Sequence, residues 1–124
     1  MIRQVAIGSI GLCLVCAISA CGSSTSSPSP VTSAAAAVSI PVGARTLGTS
    51  SYVPNPITIT SGSTITWTNT DTIAHTSTST DAGAAFDSGS IAAGAKFSFT
   101  FQNKGTFAYR CTFHAGMVGT IVVQ

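Results

Sequence analysis

Thr106-Phe107-Ala108-Tyr109-Arg110-Cys111-Thr112-Phe113-His114-Ala115-Gly116-Met117-Val118-Gly119-Thr120-Ile121-Val122-Val123 is the stretch that decides the architecture. Its first six residues alternate. Phe107, Tyr109 and Cys111 fall on one side of a pleated strand and Ala108 and Arg110 on the other, because successive strand side chains point to opposite faces. Residues 120–123 are mostly β-branched and form a second strand. The Cys111 side chain thus starts at the inner rim of a sheet, where a strand runs out into a loop.

Working outward, the chain from Val38 onward is a series of short strands with no stretch at helical period. Strands are predicted at 38–47, 57–60, 64–68, 75–79, 96–101, 106–111 and 120–123. Turn residues separate them: Pro54-Asn55-Pro56, Ser61-Gly62-Ser63, Asn69-Thr70-Asp71, Ala93-Gly94 and Asn103-Lys104-Gly105. Ile65 and Trp67 share one face of their strand, as do Phe97, Phe99 and Phe101 of theirs, and these faces supply the core. No internal repeat is visible. The predicted fold is all-β, a small antiparallel Greek-key sandwich of two sheets.

The N-terminus reads as a targeting segment. Arg3 precedes a largely apolar run from Val5 to Ile18, and the small residues Ser19 and Ala20 lead to Cys21, the layout of a signal peptide over residues 1–20. That run is short for a membrane span. Ile18-Ser19-Ala20-Cys21 also resembles a bacterial lipobox, in which cleavage leaves Cys21 to carry a lipid. A soluble secreted product or an uncleaved anchor are the alternatives. Cys13 and Cys16 lie inside the apolar run, so their Cys-x-x-Cys spacing is expected to be discarded with it. Residues 21–37 are nearly all Ser, Thr, Pro and Ala, too poor in apolar surface to offset ordering entropy. They are expected to form a flexible tether, with the folded domain at 38–124. The protein is thus expected outside the cytoplasm, held to a membrane by Cys21.

Charge is scarce. The 124 residues carry five Lys or Arg, three Asp and no Glu. Loss of residues 1–20 removes Arg3 and leaves Arg45, Lys96, Lys104 and Arg110 against Asp71, Asp81 and Asp87, a net charge of +1. No basic stripe stands ready for phosphates, so nucleic acid is not an expected partner. Paired carboxylates, a Gly-x-Ser-x-Gly elbow and a phosphate loop are also missing. A non-enzymatic role is expected.

Chemistry gathers instead at Cys111, His114 and Met117, with a second imidazole at His75. Each alone has a plain structural role, as buried hydrophobe, surface histidine or core filler. Together a thiolate, two imidazoles and a thioether suit copper in both oxidation states. Zinc seldom uses thioether and is the poorer match. Metal ligation also explains an unpaired Cys111 in an exported chain, since Cys21 would be occupied by lipid.

The stretches Phe86-Asp87-Ser88-Gly89, Phe97-Ser98-Phe99-Thr100-Phe101 and Gly105 to Val123 resemble the cupredoxins, small blue-copper proteins of the plastocyanin, amicyanin and pseudoazurin type. The spacing of Cys111, His114 and Met117 is most similar to the short ligand loop of amicyanin. The resemblance implies one type 1 copper ion, with His75, Cys111 and His114 equatorial and Met117 axial. It departs at Thr76, where relatives usually have Asn, and at Phe113, where they often have Pro; both would tune the metal. The implied role is single-electron carriage by a monomer. Redox partners would dock at an apolar patch around His114 that includes Phe113, Ala115 and Met117. Delivery of copper to an exported cuproenzyme uses the same ligands and is the competing expectation; a metal-free adhesion module is a third.

Overall fold

The computed structural model describes residues 34–81 and 86–124. The signal segment 1–20, Cys21 and most of the tether lie outside the described residues. Seven strands run in order: β1 (Ala35–Ile40), β2 (Ile57–Ile59), β3 (Ser63–Asn69), β4 (Thr78–Ser79), β5 (Lys96–Phe101), β6 (Gly105–Arg110) and β7 (Val118–Val123). They form one sheet in the order β1-β3-β5 and another in the order β2-β7-β6-β4. Among the described residues no helix is long and apolar enough to cross a membrane.

Alternation set the core as expected. In β3, Ser63, Ile65, Trp67 and Asn69 are buried and the intervening threonines are not. Trp67 is the centre: its ring lies 5.3 Å from Phe86, 5.5 Å from Phe97 and 5.8 Å from Tyr109. Such offset and edge-on contacts suit the aromatic quadrupole and add to area burial. The hydroxyls left on the outer face pair across strands, Thr64 with Thr100 and Thr66 with Ser98, each at 2.7 Å.

Four details differ from the sequence expectation. The sheets are mixed, because β1 pairs with β3 and β2 with β7 in parallel. The chain changes sheets between β1 and β2 and returns for β3, so β3 runs the same way as β1. The first strand stops at Ile40 instead of reaching Leu47. Pro41 brings no amide donor, Gly43 adopts φ 79°, and two short 3₁₀ turns follow at Ala44–Thr46 and Gly48–Ser50. That strand also begins before Val38: Ala35, Ala36 and Ala37 lie opposite Thr64, Ile65 and Thr66. Alanine loses almost no side-chain entropy on ordering, so a sheet partner suffices to draw the end of the tether into β1.

The expected strand at 75–79 shortens to β4, with His75 held by an isolated bridge to Ile91. Two backbone hydrogen bonds close that bridge, at 3.1 and 2.7 Å. Both ends of the β6–β7 hairpin loop and the His75 segment therefore meet at the same end of the sandwich.

Candidate metal centre

Cys111 follows the last residue of β6, and its amide donates to the Met117 carbonyl at 3.0 Å. This closes the loop 111–117 onto itself before β7 begins. Gly116, at φ 81°, supplies the left-handed residue that the return needs. His114 is thereby turned back so that its Nδ1 lies 3.5 Å from Cys111 Sγ. From the facing segment, His75 brings its own Nδ1 to 3.9 Å from the same sulfur. The three donor atoms lie within 4.8 Å of one another.

These separations fit a metal ion. Donors arranged in a plane around a first-row ion, with bonds of about 2.0–2.3 Å, stand roughly 3.5–4.0 Å apart. Met117 is wholly buried and lines the same cleft of about 330 Å³ as Cys111 and His114. His75 and Cys111 are buried as well, and His114 is the ligand that reaches solvent. Met117 therefore contributes nothing to the exposed apolar patch, which reduces to Phe113, 53% exposed, and Ala115.

The part of the chain from residue 40 to residue 124 matches the model of the copper-binding proteins of the plastocyanin/azurin family. The chain belongs to that family. Among solved structures, a purple cupredoxin from Nitrosopumilus maritimus is 32% identical, with 72% of this chain and 99% of that one covered at a TM-score of 0.66. Two amicyanin variants are similar too. One, with a methionine replaced by alanine and copper as Cu(I), is 26% identical, with 73% and 82% covered and a TM-score of 0.61. The other, with a proline replaced by phenylalanine and in the reduced state, is 28% identical with a TM-score of 0.62 and the same coverage. In this cupredoxin His75, Cys111, His114 and Met117 form the type 1 copper site.

Thr76 answers the question raised by its departure from Asn. Its amide donates to Cys111 Sγ at 3.3 Å. Its hydroxyl oxygen accepts from the Thr112 amide at 2.9 Å and lies 3.3 Å from the Thr112 hydroxyl. It also lies 3.1 Å from the Thr78 hydroxyl. One hydroxyl thus ties the two ligand-bearing loops. The Thr76 carbonyl is held from the core side by the Tyr52 hydroxyl at 2.5 Å, and the Tyr52 ring packs on Tyr109 at 4.6 Å. Burial pushes the phenols of Tyr52 and Tyr109 up, so both stay neutral.

The stretch Phe86-Asp87-Ser88-Gly89 braces the same segment from outside. Ser88 exchanges hydrogen bonds with the backbone of Ser77, its hydroxyl accepting at 2.8 Å and its amide donating at 3.1 Å. Asp87 accepts from Thr78 at 3.1 Å.

Two residues of the site, Asp71 and Asn69, are only turn formers by sequence. Asp71 is buried, and its Oδ2 accepts the His75 Nε2–H at 2.9 Å. That bond, helped by the Thr72 amide, outweighs burial and lowers the carboxyl to about 2. Asn69 receives the Asp71 amide at 2.9 Å and donates to the carbonyls of Ile73 and Ile91 at 2.8 and 2.9 Å. The available signal was the four-residue spacing of Asp71 and His75. Outside a helix that spacing does not bring two side chains together by itself, so only the fold revealed it.

Proposed function

We propose that this cupredoxin carries single electrons between redox partners outside the cytoplasm, tethered to a membrane by lipid on Cys21. The observation that carries the first part is the burial of three of the four ligands on a braced framework, with His114 alone partly exposed. When bound, copper supplies a one-electron couple between its cuprous and cupric states. The residues supply rigidity. His75 is fixed through Ile91 and Asp71, and the loop 111–117 through its own backbone and Thr76. Ligands that cannot relax between oxidation states keep the reorganisation barrier low.

The exposed edge of the site offers the route to a partner. Phe113 and Ala115 flank His114, a small apolar surface of the kind that suits brief encounters. Copper delivery is the weaker reading, because an acceptor's ligands would have to displace His75, Cys111 and Met117 from the interior. The lipid anchor is supported by Ile18-Ser19-Ala20-Cys21 alone.

The test begins with one equivalent of copper. An intense thiolate-to-Cu(II) absorption, abolished in Cys111→Ser, is expected, and a colourless protein would sink the site. Repeated oxidation and reduction in the presence of a copper-free acceptor protein then separates the two roles. Retention of the metal supports electron carriage; rapid transfer to the acceptor would replace it by delivery. Mass spectrometry of the processed N-terminus checks for lipid on Cys21.

A further inference from the structure

The carboxylate of Asp71 stands out in a site otherwise built from neutral second contacts. It is 5% exposed and is hydrogen-bonded to the ligating His75. Oδ2 receives both the His75 Nε2–H at 2.9 Å and the Ala44 amide at 3.2 Å. Oδ1 receives the Thr72 amide at 2.7 Å. Among the described residues no lysine or arginine comes within ion-pair distance of it. A buried anion without a cationic partner is costly, and it is tolerated where hydrogen bonds and a nearby positive charge compensate.

A carboxylate can only accept, so the hydrogen on His75 must sit on Nε2. Nδ1 is then left with its lone pair free, and it is this atom that faces Cys111 Sγ. Ligating histidines held this way are oriented and made more basic by their carboxylate. The negative charge, delivered through the ring, favours a doubly charged ion over a singly charged one.

We propose, on the copper reading above, that Asp71 is a positioning residue that selects the ligating tautomer of His75 and lowers the reduction potential of the site. Asn69 holds it in place through the Asp71 amide, so the carboxylate does not swing with the loop. Ala44, in the 3₁₀ turn that follows β1, donates its amide to the same oxygen that receives His75.

The test compares the copper-loaded full protein with Asp71→Asn, Asp71→Ala and, as a control of equal formal charge change, Asp81→Asn at an exposed position outside the site. Reduction potentials are measured by redox titration. In parallel, nitrogen NMR of the metal-free, thiol-reduced protein reads the His75 tautomer. Asp71→Asn keeps the shape and removes the charge. It is expected to cost Cu(II) about tenfold more affinity than Cu(I), a rise of about 59 mV for a one-electron couple. Asp71→Ala should raise the potential as well and scramble the His75 tautomer. The control should move neither.

The proposal is overturned if both Asp71 variants match the control in potential, or if metal-free wild-type His75 carries its hydrogen on Nδ1. Should neither variant fold, the wild-type tautomer alone decides. A wild-type protein that binds no copper would remove the functional reading while the NMR measurement still judges the role of Asp71.

Discussion

Thr76 shows how little a side chain needs in order to hold a metal site together. Its hydroxyl serves the Thr112 amide, and it is 2% exposed, so water cannot take over. Thr76→Val keeps the shape and leaves that amide without its partner. A loss of about 1 kcal/mol is expected from one hydrogen bond of this kind, read as a fall in Tm of roughly 4–8 °C for a domain of this size. Blue absorption should persist, since the Thr76 amide still reaches Cys111 Sγ. At Asp71 the sign of the pH effect follows from a carboxyl lowered to about 2 in the folded chain against about 3.9 unfolded. Its contribution is full above about pH 4 and disappears as the pH falls through about 2. Urea midpoints of the metal-free protein between pH 5 and pH 2 should therefore fall more steeply for wild type than for Asp71→Asn.

At the scale of elements, β6 and β7 are held in register by a contact that only glycine permits. A Cβ on Gly119 would sit 2.3 Å from the Tyr109 ring, on the adjacent strand and opposite in register. The ring cannot retreat, because Tyr52 packs on it at 4.6 Å and Trp67 meets it edge-on. Gly119→Ala should cost on the order of 1–3 kcal/mol, as overpacked cores do, measured by thermal unfolding. Because Cys111 lies two residues beyond Tyr109, copper binding should weaken along with stability. The strand β1 makes a second prediction. Removing residues 1–33 should leave the copper spectrum and Tm of the remaining chain intact. Starting instead at Val38 deletes half of β1 and its pairing with Thr64–Thr66, and Tm should drop.

For the whole molecule, function depends on an asymmetry between a closed interior and one open edge. Four ligands come from two segments separated by 35 residues of chain, yet the only one near solvent is His114, beside Phe113 at 53% exposure. Phe113→Glu should slow electron exchange with a partner several-fold and leave the copper spectrum nearly unchanged, as followed by stopped-flow mixing with a redox protein. An unaltered rate would move the docking surface elsewhere.

The metal donors and the core were legible in the amino-acid order because both depend on local rules. Strand alternation put Ile65, Trp67, Tyr109 and Cys111 inside, and donor softness singled out Cys111, His114, Met117 and His75. The β-strand seen at Ala35–Ala37 was not legible, since its stability comes from a parallel neighbour 29 residues away rather than from its own composition. Neither was the parallel pairing of β2 with β7, which reflects the path of the chain between sheets. Asp71 is the sharpest case: a turn residue by sequence, it becomes a buried anion on His75 only when Asn69, Ala44 and Ile91 are folded around it. Residue type and spacing determined which atoms could bind a metal. Tertiary structure decided which nitrogen of His75 faces it, because burial and hydrogen-bond direction are properties of neighbours brought together in space.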